Sequence, residues 1–183
     1  MKKIALLKDV HLGQTCYIIG TGKSALKLTS SDFGDGFVIA INSILSYIES
    51  LNLTIPVYSQ YKDGNYPEPQ CTVLTCENCI ADQPPPKQSV LLLHVHHALN
   101  CFPDYEPKYY FDNYDYGLRD IDFSHKSAVR NAEFLGASQL IFYGFDSITK
   151  NDSSNISGAI DPNYKRQKEL MEIFDYHLPY IYK

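Results

Sequence analysis

Gly20-Thr21-Gly22-Lys23-Ser24-Ala25 is the segment of this sequence best equipped for chemistry. Glycines at alternate positions let a backbone come close to a ligand, and the lysine and serine add a cation and a hydroxyl. Three ligand readings compete. A Walker A loop needs a glycine five residues before the last one, and Tyr17 stands there, inside an apolar run. A dinucleotide fingerprint, G-x-G-x-x-A, fits by letter, but it wants an acid about 20 residues on to hold a ribose. Asn42 occupies that place, and an amide is a poor substitute for a carboxylate. A mononucleotide or nucleotide-phosphate site, built from Gly20, Thr21, Gly22, Lys23 and Ser24 with Asn42, fits best. The plain alternative is a tight strand-to-helix turn with no ligand.

Transfer from a nucleotide would also need a base and a cation for the leaving phosphate. His125 is the first candidate for the base, flanked by Ser124, Lys126 and Ser127 at the start of an expected helix; an ordinary surface histidine near a helix cap is the alternative. His177 is the second. Lys23, Arg119 and Lys126 are candidates for the cation. Asp146, Asp112 and Asp115 would have to hold magnesium in a pyrophosphoryl transferase, but no paired-acid motif appears among them. His94 and His96 share one face of an expected strand, which allows a metal pair but fits a half-buried strand end better.

The elements that must position these residues follow from the apolar pattern. Thr15–Gly20, Phe37–Ile41, Ile55–Tyr58, Val90–His96 and Gln139–Tyr143 are short apolar runs and read as strands. Ile44, Tyr47, Ile48 and Leu51 form one helical stripe, with Asn42-Ser43 as its expected cap. Ser124 opens a helix with Ala128, Ala132 and Leu135 on one face, ended by Gly136. Asp161-Pro162 opens a last helix. Residues 60–89, with five prolines, read as an insertion or small lobe in an otherwise single domain spanning 1–183. Apolar strands alternating with amphipathic helices imply a Rossmann-like α/β fold: a mostly parallel sheet with helices on both faces. Ligands of such sheets bind at the carboxyl ends of the strands, so the loops after Ile19, Ile41 and Tyr143 matter most.

Ile18-Ile19-Gly20-Thr21-Gly22-Lys23-Ser24-Ala25-Leu26, Ile39-Ala40-Ile41-Asn42-Ser43 and Ile141-Phe142-Tyr143-Gly144-Phe145-Asp146, taken in order, resemble a known group. It is the Rossmann-like core shared by bacterial CMP-sialic acid sialyltransferases and archaeal 6-hydroxymethylpterin diphosphokinase-like proteins. The resemblance implies a nucleotide-dependent transferase, glycosyltransferase-like, with a nucleotide-sugar donor. It implies that Gly20, Gly22 and Ser24 face the phosphates, that Asn42 contacts the nucleotide, that Asp146 lies at the floor and that Ser127 is near phosphate or sugar. Lys23 stands where the group has proline. Residues 147–183 are few for the lid that carries the sialyltransferases' catalytic histidine and tyrosine pair, so a non-catalytic nucleotide-binding accessory protein, phage or bacterial, is the other expectation.

Composition narrows the partners. The chain has 183 residues and a net charge of -5, a poor match for nucleic acid. No apolar run exceeds five residues, so no membrane span and no signal-peptide core is expected. The five cysteines, Cys16, Cys71, Cys76, Cys79 and Cys101, are odd in number and suit a reducing cytoplasm. Cys76 and Cys79 have CxxC spacing, but the second pair of a zinc site is missing, and zinc is not the favoured reading. There are 15 tyrosines and no tryptophan. Five of the tyrosines, Tyr105, Tyr109, Tyr110, Tyr114 and Tyr116, fall in one segment that either borders a nucleotide or seals the core.

Overall fold

The computed structural model describes residues 2–61, 89–94, 106–111, 124–150, 152, 154, 156 and 164–183. Its strands are β1 (Lys2–Lys3), β2 (Thr15–Ile19), β3 (Phe37–Ile41), β4 (Val57–Tyr61), β5 (Val90–His94), β6 (Lys108–Phe111), β7 (Gln139–Tyr143) and β8 (Tyr180–Tyr182). Its helices are α1 (Leu45–Ser50), α2 (Ser124–Phe134), α3 (Asp146–Thr149) and α4 (Tyr164–Glu172). Short 3-10 turns cover Ile4–Leu7, Lys23–Lys27, Ser30–Asp32 and Asn42–Ile44.

All five residues of β3 are buried. A strand with no polar residue must be covered on both faces, which is the condition of a parallel sheet. The two faces separate with the period of two that a strand imposes. Ile18, Phe37, Ile39, Ile41, Leu140 and Phe142 pack with Ala128, Val129 and Ala132 of α2. Tyr17, Ile19, Val38, Ala40 and Tyr143 pack with Ala25 and with Ile44, Leu45 and Ile48 around α1. Each large apolar side chain so buried contributes about 1.5–3 kcal/mol.

The strands form one sheet in the order β1-β6-β5-β4-β3-β2-β7-β8. Every neighbouring pair is parallel. This is the Rossmann-like α/β class the sequence predicts. From β2 the chain steps outward through β3 and β4, then returns to lay β7 on the other side of β2. The strand order therefore reverses between β2 and β7. The registers Ile19↔Tyr143, Ile19↔Ala40 and Ile41↔Gln60 bring the carboxyl ends of four strands to one edge.

Some local expectations shift. Pro56 precedes the third expected strand, which runs Val57–Tyr61. Asn42 does not cap the helix after β3: it takes a left-handed φ of +54°, and no side-chain cap bond forms there. The segment after the first glycines is a 3-10 turn. At the opposite edge, the N–H groups of Asp9, His11 and Gly13 donate to the carbonyls of Phe134, Leu135 and Gly136, satisfying the end of α2 that no further helical turn can satisfy.

Candidate functional site

The glycine loop joins β2 to its 3-10 turn at the reversal point, and it is locked to the loop after β7. The Gly20 N–H donates to the Tyr143 carbonyl and the Gly22 N–H to the Gly144 carbonyl, both at 2.8 Å. A Cβ on Gly20 would lie 2.6 Å from the Gly144 oxygen and 3.2 Å from the Phe145 ring. A Cβ on Gly22 would lie 2.6 Å from that same oxygen and 2.9 Å from the Asp146 carboxylate. Gly144 has a left-handed φ of +72°, and its own Cβ would meet the Gly20 oxygen at 2.7 Å. Three glycines thus allow two backbones to touch. Thr21 is held as well, its carbonyl accepting from the Ile156 N–H at 2.8 Å.

Asp146 fastens the two loops. Its Oδ2 accepts the Ser24 N–H at 2.8 Å, and its Oδ1 faces the Lys150 ammonium at 3.2 Å. Asp146 is 3% exposed. That burial pushes its pKa up, but hydrogen bonds from Ser24 and the charge of Lys150 outweigh it and hold the carboxyl below its ordinary range. Lys23 is exposed at the first position of the 3-10 turn. Its charge and that of Lys150 both bear on Asp152, whose pKa is lowered chiefly by hydrogen bonds from Ser154. Asn42, half-buried at the end of β3, lies on the same edge. A left-handed non-glycine residue at a strand end is tolerated best by asparagine.

The structure brings Gly20, Thr21, Gly22, Lys23, Ser24, Asn42 and Asp146 to one edge, whereas two other expected residues, in the first turn of α2, are buried. Ser127 is fully buried in α2, and its hydroxyl has no hydrogen-bond partner. His125, expected as a base opening onto the crevice, is instead buried, 4% exposed. Its ring packs 5.1 Å from both Phe142 and Phe145, and Phe145 separates it from Gly20. Its Nε2 meets the hydroxyls of Tyr176 at 3.3 Å and Tyr182 at 3.2 Å. Burial, helped by the charge of Lys126, pushes its pKa down to about 3. The ring is thus held among aromatic side chains and not open at the edge.

His177 lies at the other end of the sheet. Its Nδ1 is 2.9 Å from Arg130 Nη1, and the neighbouring Pro179 carbonyl accepts from Leu140, near the start of β7. Arg119, Asp112, Asp115, His96, Cys71, Cys76, Cys79 and Cys101 lie outside the described residues, as do Tyr105, Tyr114, Tyr116 and nearly all of 60–89; only the backbone of His94 is described. Tyr109 and Tyr110 are in β6, four strands from β2, and pack against the core.

Sequence reasoning missed Gln60 and Asn131. Both are fully buried, and Asn131 Nδ2 donates to Gln60 Oε1 at 2.6 Å while Gln60 Nε2 donates to the Ser124 carbonyl at 2.9 Å. The signal was a polar residue inside a strand beside β3, paired with a polar residue on the apolar face of α2. Among the described residues no group of three histidine, cysteine or acidic side chains is placed to hold a metal ion. Likewise no helix there is long and apolar enough to cross a membrane. Comparison with known proteins finds no matching family model and no matching curated protein.

Proposed function

We propose that the chain binds a nucleotide-type small molecule, a nucleotide or nucleotide-sugar, at the carboxyl edge between β2 and β7. One observation carries this reading: the strand order reverses there, a close-packed glycine loop and a held carboxylate stand at that point, and a left-handed asparagine follows the neighbouring β3 on the same edge. Binding without turnover is favoured over sugar or pyrophosphoryl transfer. Transfer needs a base open to an acceptor, and among the described residues His125 is buried between aromatic rings and His177 lies at the other end of the sheet.

The test is thermal stability with CMP, CDP, UDP-sugars, ATP and GTP. A ligand at a hundred times its Kd stabilises by about 2.7 kcal/mol, a rise of about 5 to 10 °C for a chain of this size. The variant Asn42→Gly keeps the left-handed backbone and removes the amide, so it should lower the shift while leaving the unliganded Tm in place. No shift with any nucleotide would end this reading.

A further inference from the structure

The glycine loop offers an N–H at Ser24, at the first turn of its 3-10 segment, where a bound phosphate would be expected to accept a hydrogen bond. In this chain that donor is already engaged. The acceptor is Asp146 Oδ2, at 2.8 Å, from a carboxylate that is 3% exposed. The Gly22 N–H is also taken, by the Gly144 carbonyl, and so is the Gly20 N–H, by Tyr143. The space over Gly22 is closed, since a single added carbon there would touch both the Gly144 oxygen and the carboxylate. A phosphate brought to Ser24 would meet a carboxylate already paired with Lys150 at 3.2 Å, and no free donor at these three amides.

We infer that Asp146 is a specificity-determining residue that excludes phosphate from the glycine loop by filling the loop's anion position itself. The ligand of the edge then meets this loop through neutral hydrogen-bonding groups, of the kind a ribose or base carries. Its phosphate, if it has one, lies elsewhere along the edge. The exclusion stands on the loop's own geometry. The identity of the neutral group rests on the nucleotide-type reading above.

Inorganic pyrophosphate is the probe, followed by the backbone amide signals of Gly20, Gly22 and Ser24 in ¹H–¹⁵N spectra. In the wild-type protein these signals should not move with pyrophosphate. Asp146→Ala frees the Ser24 N–H and removes the charge, so pyrophosphate should bind at least about tenfold more tightly and shift the Ser24 amide. Asp146→Asn keeps an acceptor oxygen for Ser24 and loses only the charge. It serves if Asp146→Ala does not fold, and it too should bind pyrophosphate more tightly than wild type. Saturable movement of the wild-type Ser24 amide would overturn the proposal, as would a folded variant with no gain. Cytidine, uridine, adenosine and guanosine, added to the wild type, separate the two claims: if none binds, the nucleotide reading fails while the pyrophosphate result stands.

Discussion

The Ser24 N–H donates to Asp146 Oδ2 at 2.8 Å, and the two residues are 122 apart in sequence. This one bond ties the loop after β2 to the loop after β7 at the point where the strand order turns back. The partners of the carboxylate are unequal. Ser24 is half-buried, whereas the Lys150 side chain is 57% exposed. Asp146→Ala leaves the Ser24 N–H without its acceptor and should cost about 1–3 kcal/mol in urea unfolding. Lys150→Met removes an ion pair screened by water and should cost less than about 1 kcal/mol. Equal losses would mean that the ion pair, and not the amide bond, holds the loop.

Glycine substitutions separate backbone strain from crowding. Gly13 and Gly144 both have left-handed φ, +79° and +72°. Around Gly13 an added Cβ meets nothing within 4 Å, whereas at Gly144 it meets the Gly20 oxygen at 2.7 Å and the Ala25 Cβ at 2.8 Å. Gly13→Ala should therefore cost only the conformational term, about 1–2 kcal/mol. Gly144→Ala should cost more than this, because the glycine loop must also move. Chemical denaturation of both variants decides it; a Gly144→Ala protein no less stable than Gly13→Ala would show that the two loops are not in contact.

The strands that position the site were legible because they are dry. Phe37–Ile41 matches β3 residue for residue, and Gln139–Tyr143 matches β7, since a run of apolar residues between turn signals has few other places to go. The stripe Ala128, Ala132 and Leu135 is buried as read. What failed were features set by the neighbours of a residue and not by its type. Tyr180–Tyr182 is a three-residue edge strand that exists because β7 lies beside it, and its own pattern is too short to show. His125 reads from sequence as a candidate base near a helix start, with a surface histidine as the alternative; the aromatic rings of Phe142, Phe145, Phe174 and Tyr176 bury it. The glycines were visible, but not their reason, which is contact with another loop more than 100 residues away.

Gln60 and Asn131 should behave as a coupled pair. Asn131 Nδ2 donates to Gln60 Oε1 at 2.6 Å, both side chains are fully buried, and Gln60 also donates to the Ser124 carbonyl at the start of α2. Gln60→Leu or Asn131→Leu alone takes the amide–amide partner from a buried side chain and should cost about 1–3 kcal/mol. The double variant strands neither amide in that contact, so its cost should fall below the sum of the two by about 0.5–3 kcal/mol. Strict additivity in the cycle would mean that the two amides do not depend on each other.

Acid should act on the fold through His125. Burial, then the neighbouring Lys126, pushes the folded pKa down to about 3 from an ordinary 6.5. Below the ordinary value the unfolded chain takes up a proton that the folded chain refuses. Stability is then lost progressively as pH falls from about 6.5 towards about 3, with a limiting slope near 1.4 kcal/mol per pH unit from this group. His11, buried, with its Nε2 2.8 Å from the Tyr58 hydroxyl, has a lowered pKa and adds to the loss in the same direction. Asp146, lowered from its own ordinary value, contributes stability that disappears only at still lower pH. The variant His125→Phe isolates the first effect: it keeps an aromatic ring against Phe142 and Phe145, and the hydroxyls of Tyr176 and Tyr182, 2.9 Å apart, still bond each other. Urea unfolding between about pH 7 and pH 4 should give a shallower decline for His125→Phe than for the wild type, with His11 contributing to the slope that remains. Parallel profiles would show that His125 takes up its proton in the folded chain, and so that it is open to solvent after all.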